Sequence, residues 1–238
     1  MKRSKNKILI SEVVRFSPNK SIKELFVEGN LIIPDNPIGI VIFAHGSGSG
    51  KASERNQLIS SKLNGNNIAT LLFDLLSEQE QECDRQLENF MSDVPGATFN
   101  KFNISLLTGR LSMATDWVLK YPKKRNLEVA YFGSSTGAAA ALIAAFKYHV
   151  NSIIIRSGRT DLVDNDLLLQ IVAPCLFIVG SKEKKLIKIN EQTIKKLRNV
   201  EKKELRIVPN ASHLFEEEGS LETVANISTQ WFKNHFNP

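Results

Sequence analysis

Two runs in this chain, Ile40-Val-Ile-Phe-Ala44 and Leu176-Phe-Ile-Val179, place no polar residue on either face of an extended segment. A strand that is apolar on both faces must be covered on both, which is the condition of a central strand in a parallel sheet. Further strand-like runs are Glu12 to Phe16, Lys23 to Val27, Ile68 to Leu72, Leu127 to Phe132, Ser152 to Arg156 and Leu205 to Val208. The apolar runs at positions 40 and 176 extend to Ile38–Ala44 and Cys175–Val179. Helix-like patterns cover Ser53 to Leu63, Phe102 to Leu119, Thr136 to Tyr148, Asn190 to Arg198 and Glu217 to Trp231. The first strands are joined without helices and the rest alternate with them. That order predicts an α/β fold with a mainly parallel sheet and helices on both faces. No repeat or linker divides the chain, so one domain over residues 1–238 is expected.

The connection between one strand and its helix carries chemistry. Gly133-Ser-Ser135-Thr-Gly137 reads G-x-S-x-G, between the apolar strand ending at Phe132 and the alanine-rich run from Ala138. A serine there sits on a sharp turn with its hydroxyl above the sheet edge, next to the first helical N–H groups. Ser135 is therefore the candidate nucleophile. The plainer reading is an ordinary strand–glycine–helix connection.

A serine nucleophile needs a base, and the chain has four histidines. His149 ends the helix that begins beside Ser135, roughly 20 Å away at 1.5 Å per residue. His235 lies near the end of the last helix. His45 and His213 remain, each following a strand that should end at the nucleophile's edge. His213 stands on the loop Pro209-Asn-Ala-Ser-His213, free to swing over the serine, and is the preferred base. His45 opens Gly46-Ser-Gly-Ser-Gly50, whose exposed amides suit an oxyanion hole, so it is expected to hold that loop. The expected donors are the amides of Ser47 and Thr136, with Gly48 the alternative to Ser47. The orienting acid should follow a strand between Ser135 and His213. Glu183 is preferred and Asp161 is the alternative.

Gly46 to Lys51 also invites a phosphate-loop reading. The pattern G-x-x-x-x-G-K-[ST] fails twice, because His45 stands where glycine is needed and Ala52 where the magnesium-binding hydroxyl is needed.

Composition sets outer limits. With 42% hydrophobic and 24% charged residues, a formal charge of +6 and a pI near 9.3, the chain reads as a globular protein with scattered surface lysines. No aromatic-interleaved basic patch points to nucleic acid. The basic start, Met1 to Lys7, precedes only Ile8-Leu-Ile10, too short for a signal core, and no run is long enough to span a membrane. A cytoplasmic location is the expectation, and the well-separated Cys83 and Cys175 are expected to stay unpaired. No metal or organic cofactor is called for. The stretch Ser77 to Lys101 reads as an irregular cover over the site, with Phe90, Met91, Val94 and Phe99 available to line an acyl pocket.

Taken together, His45-Gly-Ser-Gly-Ser-Gly, Leu72-Phe-Asp74-Leu-Leu, Tyr131-Phe-Gly-Ser-Ser-Thr-Gly-Ala-Ala-Ala, Ile178-Val-Gly180 and Val208-Pro-Asn-Ala-Ser-His213-Leu-Phe-Glu-Glu resemble the α/β-hydrolase superfamily, in its dienelactone-hydrolase-like branch. The resemblance runs from about Ile38 onward. It implies an eight-stranded hydrolase sheet and a Ser–acid–His triad. Relatives of this type commonly carry aspartate where Glu183 stands, and dienelactone hydrolases proper use cysteine where Ser135 stands. The implied activity is hydrolysis of a small carboxylic ester or similar acyl compound. An acyltransferase, or a non-catalytic binding protein on a hydrolase scaffold, are the alternatives.

Overall fold

In the computed structural model, which describes residues 8–17, 26–91, 99–121 and 127–236, eight strands form one sheet. They are β1 (Ile8–Phe16), β2 (Val27–Pro34), β3 (Gly39–Ala44), β4 (Ile68–Phe73), β5 (Val129–Ser134), β6 (Ile153–Arg156), β7 (Cys175–Gly180) and β8 (Lys203–Val208). Their order is β1-β2-β4-β3-β5-β6-β7-β8. β2 runs antiparallel to both β1 and β4, and every other pair is parallel. The sheet is thus mixed at one edge and parallel through the middle.

Alternation sorts the central strands between two cores. Ile40 and Ile42 of β3, with Tyr131 of β5, Ile153 and Ile155 of β6 and Phe177 of β7, face one side. Val41, Phe43, Phe132, Ile154 and Ile178 face the other. The first side is covered by α3 (Ile104–Lys120), α4 (Thr136–Lys147) and α6 (Lys184–Lys196). The second is covered by α1 (Glu54–Asn64) and α7 (Ser220–His235). Every residue from Ala138 to Ala141 is buried, so the alanine run of α4 lets that helix lie close against the sheet. The short α5 (Asn165–Leu168) lies in the β6–β7 connection.

Three expectations need correction. The strand read at Lys23 to Val27 falls largely outside the described residues, and β2 begins only at Val27. Glu28 and Asn30, either side of Gly29, hid it. Helix α6 starts at Lys184, before the expected Asn190, because its lysine-rich first turns look like loop. The larger correction concerns Ser77 to Lys101. Its first part is a regular helix, α2 (Glu78–Met91). The helix is almost wholly exposed, and its apolar residues, Cys83, Leu87, Phe90 and Met91, begin only at Cys83, leaving the first turn without a periodic signal. Its start was legible as Ser77-x-x-Glu80. The Ser77 amide donates to Glu80 Oε2 at 2.8 Å, and the Glu80 amide donates to Ser77 Oγ at 3.2 Å, a reciprocal capping box.

Polar contacts dock α2. Asp84 accepts the amides of Asn100 and Lys101 at 2.8 and 2.9 Å, and Glu80 meets the buried Arg110 at 2.6 Å. Phe90 is 85% exposed and faces solvent rather than an enclosed acyl pocket. Phe99 packs edge-on against Phe102. Val94 and the Met91 side chain lie outside what the structure describes. Among the described residues, no helix is long and apolar enough to cross a membrane.

Candidate active site

Ser135 sits between β5 and α4 with φ 51° and ψ −120°. That is a sparsely populated backbone region for a residue with a Cβ, worth on the order of 1–3 kcal/mol of strain. The surroundings hold it there. The Ser135 amide donates to the Arg156 carbonyl at 3.1 Å, and its own carbonyl accepts the Arg159 amide at 3.0 Å. A Cβ on Gly137 would fall 2.1 Å from the Ala44 carbonyl oxygen, and one on Gly46 would fall 2.8 Å from the Ser135 Cβ. Only glycine at both positions lets the β3 loop lie against the turn.

That loop turns at once. The Ser49 amide bonds back to the Gly46 carbonyl at 3.2 Å with Gly48 at φ 76°, a type II turn. His45 is buried and pins the turn from below. It accepts the Leu75 amide at Nε2 (2.9 Å), so the proton belongs on Nδ1, which donates to the Gly46 carbonyl at 2.9 Å. Burial holds its pKa below the ordinary histidine value and keeps the ring neutral. The Ser47 amide, which the sequence offers as a candidate oxyanion donor, donates to Thr136 Oγ1 at 3.2 Å. Ser47 and Thr136 are therefore adjacent across 89 residues of chain.

The loops after β7 and β8 are stitched together. The Ser181 amide bonds the Val208 carbonyl, the Lys182 amide bonds the Ala211 carbonyl, and the Asn210 amide bonds Ser181 Oγ. This brings the carboxylate after β7 to the imidazole after β8, with His213 Nδ1 3.1 Å from Glu183 Oε2. Asp161 is elsewhere engaged, gripped by the Arg159 guanidinium at 2.8 Å through both oxygens. The His213 carbonyl accepts the Ser157 hydroxyl at 3.2 Å, which ties the histidine loop to the residue after β6. Glu217 braces the same loop, accepting the Ser212 amide at 3.0 Å and Lys182 Nζ at 2.8 Å. Among the described residues no hydrogen bond joins Ser135 Oγ to His213. His235 lies apart, its Nδ1 bonded to the Trp231 carbonyl within α7.

A cavity of about 660 Å³ opens beside the glycine loop. It runs from Gly46 and Ser47 to α2, and its wall does not include Ser135 or His213. The face of α2 turned toward it carries Gln81, Asp84, Arg85 and Glu88. Lys51, on the opposite wall, is fixed by Asp74 at 2.7 Å and Glu28 at 3.1 Å. The polar lining of this cavity was missed in the sequence because α2 itself was missed. Among the described residues no three of His, Cys, Asp and Glu stand together as metal ligands.

No family model matches the chain. Its structure is similar to that of a dienelactone hydrolase from Anabaena variabilis, at 39% identity, TM-score 0.84, covering 96% of this chain and 99% of that one. Est1E from Butyrivibrio proteoclasticus shares the fold at TM-score 0.73 and 12% identity, over 94% of this chain and 98% of that one. XC6422 from Xanthomonas campestris, described as an α/β serine hydrolase without a lid, does so at 0.69 and 14%, over 97% of each chain. In two strains of Mycobacterium tuberculosis, a protein provisionally named a phosphoribosyl transferase is 43% identical over 211 residues, 88% of this chain. The chain spans 44% of the length of those curated relatives.

Proposed function

The chain belongs to the dienelactone-hydrolase family of α/β-hydrolases, and from that premise we propose that it is a serine hydrolase of small carboxylic esters or related acyl compounds. The observation that carries this reading is the 3.1 Å approach of Glu183 to His213 Nδ1, in a chain whose glycine-bound turn also holds Ser135 in a strained conformation. With the Nδ1 proton directed to the carboxylate, the neutral ring keeps Nε2 as its proton acceptor. Ser135 Oγ attacks the acyl carbonyl as His213 takes its proton, and Glu183 stabilises the imidazolium that forms. The oxyanion is received by the Ser47 and Thr136 amides, with Gly48 the alternative donor. The Ser47 amide must first leave Thr136 Oγ1, so carbonyl binding and rotation of the Thr136 hydroxyl go together. His213 returns the proton to the leaving group. Water activated by the same histidine then frees the acyl group, and no step calls for a metal or organic cofactor.

The test is covalent labelling with a fluorophosphonate. Ser135 is expected to be the labelled residue, and Ser135→Ala to lose at least about a thousandfold in ester turnover while remaining folded. Near-normal turnover in that variant would remove the serine mechanism. Absence of any label would favour a binding protein on a hydrolase scaffold. Acyl transfer to added alcohols or amines in preference to water would make the protein an acyltransferase.

The transferase name of the mycobacterial relatives supports a second reading, phosphoribosyl transfer. More than half of that protein lies outside the shared region, so the name is not tied to the part that resembles this chain. Failure of the purified chain to release diphosphate from a phosphoribosyl donor, with or without acceptor bases, would set it aside.

A further inference from the structure

Arg156 closes β6 and is 5% exposed, yet among the described residues no carboxylate forms an ion pair with it. Its guanidinium lies over the Phe132 ring, 5.8 Å from the centroid, on the α1/α7 side of the sheet. Its Nη1 is buried with no hydrogen-bond partner. Ser134 pairs with Arg156 in the β5–β6 register, is 3% exposed, and its hydroxyl is also unpartnered. The charged group that acts on Arg156 is another cation, Arg55 in the first turn of α1. Arg55 also has a buried, unpartnered Nε, and its one acid, Glu216, is 3.4 Å away and exposed. On α1 the Asn56 Oδ1 is also buried without a partner.

Buried polar groups are nearly always paired, and a buried charge without a counter-charge is strongly unfavourable. Here the surplus is of donors and of positive charge. Burial and Arg55 pull the Arg156 guanidinium down to about 10, which leaves it charged at neutral pH. We propose that Arg156, Ser134 and Arg55 form a binding site for a compact anion, inorganic phosphate or the carboxylate of a small acid, on the α1/α7 side of the nucleophile turn. Planar guanidinium donors match the paired oxygens of either group. Occupancy would link the end of β6 to the start of α1, and with them the backbone that holds Ser135 through the Arg156 carbonyl.

The test is independent of hydrolysis. Melting of the Ser135→Ala protein is followed in anion-poor buffer against added phosphate and acetate. The melting temperature is expected to rise by about 2 °C or more and to saturate, as binding to the native state alone requires. Arg156→Met is expected to abolish the response. It should melt no lower than its parent without anion, because it removes an uncompensated charge at similar volume. Lys202→Gln, an exposed control, is expected to keep the response. Should Arg156→Met fail to fold, Arg55→Gln is read instead, with an apparent affinity at least about fivefold weaker. Equal shifts in Arg156→Met and its parent, or no saturable shift in the parent, would overturn the proposal. Phenyl acetate and monophenyl succinate identify the source of the anion in the active protein. Selective loss of the succinate rate in Arg156→Met supports the site with substrate as the source. An unchanged ratio beside a saturable phosphate shift supports it with a free anion.

Discussion

Ser135 and His213 stand on different loops, and what each can do depends on single contacts. Glu183 touches the imidazole while Asp161 is held by Arg159, so the two carboxylates should respond differently to neutralisation. Glu183→Gln is expected to reduce turnover by about a hundredfold or more with folding and binding retained, since an amide cannot favour the required tautomer or the imidazolium. Asp161→Asn should leave turnover within about twofold, because its loss is confined to an exposed ion pair. Steady-state kinetics on the two variants checks this, and the reverse ranking would move the acid to the β6 loop. The G-x-S-x-G turn and the His213 loop were both legible as residues. The bond from the Ser47 amide to the Thr136 hydroxyl was not, because it joins side chain to backbone across the sheet edge.

At the scale of elements, α2 and the His213 loop are both held by polar bonds, and each carries a test. Ser77→Ala removes one half of the capping box and should cost about 1 kcal/mol of α2 stability. Hydrogen exchange should then quicken across Glu78–Met91 while the β5 amides are unchanged. Uniform exchange in the variant and the parent would mean that tertiary contacts alone hold the helix. The loop before α7 depends on Glu217. Its carboxyl is held down to about 2, first by Lys182 and then by the Ser212 amide. A carboxyl lowered on folding stabilises the native state above its unfolded value of about 4.5, and that contribution fades as the pH falls toward 2. Protection of the Ser212 amide should therefore drop between those two pH values. Glu217→Gln should show the loss already at neutral pH. Constant protection across the range would deny Glu217 this role.

Across the whole molecule, the division between a buried parallel core and a polar rim decides which groups are reactive. Cys175 lies in β7 with no exposure, and burial pushes its thiol up to about 12. Cys83 is exposed on α2. Titration with a thiol reagent should modify one cysteine per native chain and two after unfolding in denaturant. Two fast equivalents in the native protein would contradict the burial of β7. The same division explains why the cavity beside the glycine loop is polar. It lies between the rim and a helix docked through Asp84 and Glu80, so charged side chains meet there and Phe90 faces outward.

Amino-acid order alone determined the alternating α/β plan, the central strands and the strand–serine–helix turn, because each is written in contiguous residues whose periodicity and glycine content admit few conformations. Elimination among four histidines also left His45 and His213, with His213 preferred on its loop, and chain order offered Glu183 ahead of Asp161 as the acid. Tertiary structure decided what depends on register and docking. Capping bonds and polar anchors set α2 from its first turn, where the sequence is wholly polar. The stitching of two loops put Glu183, rather than Asp161, against His213. The β5–β6 register set Ser134 beside an unpaired Arg156. Such contacts join residues far apart in the chain, and their energies exist only once the sheet has brought the strand ends together.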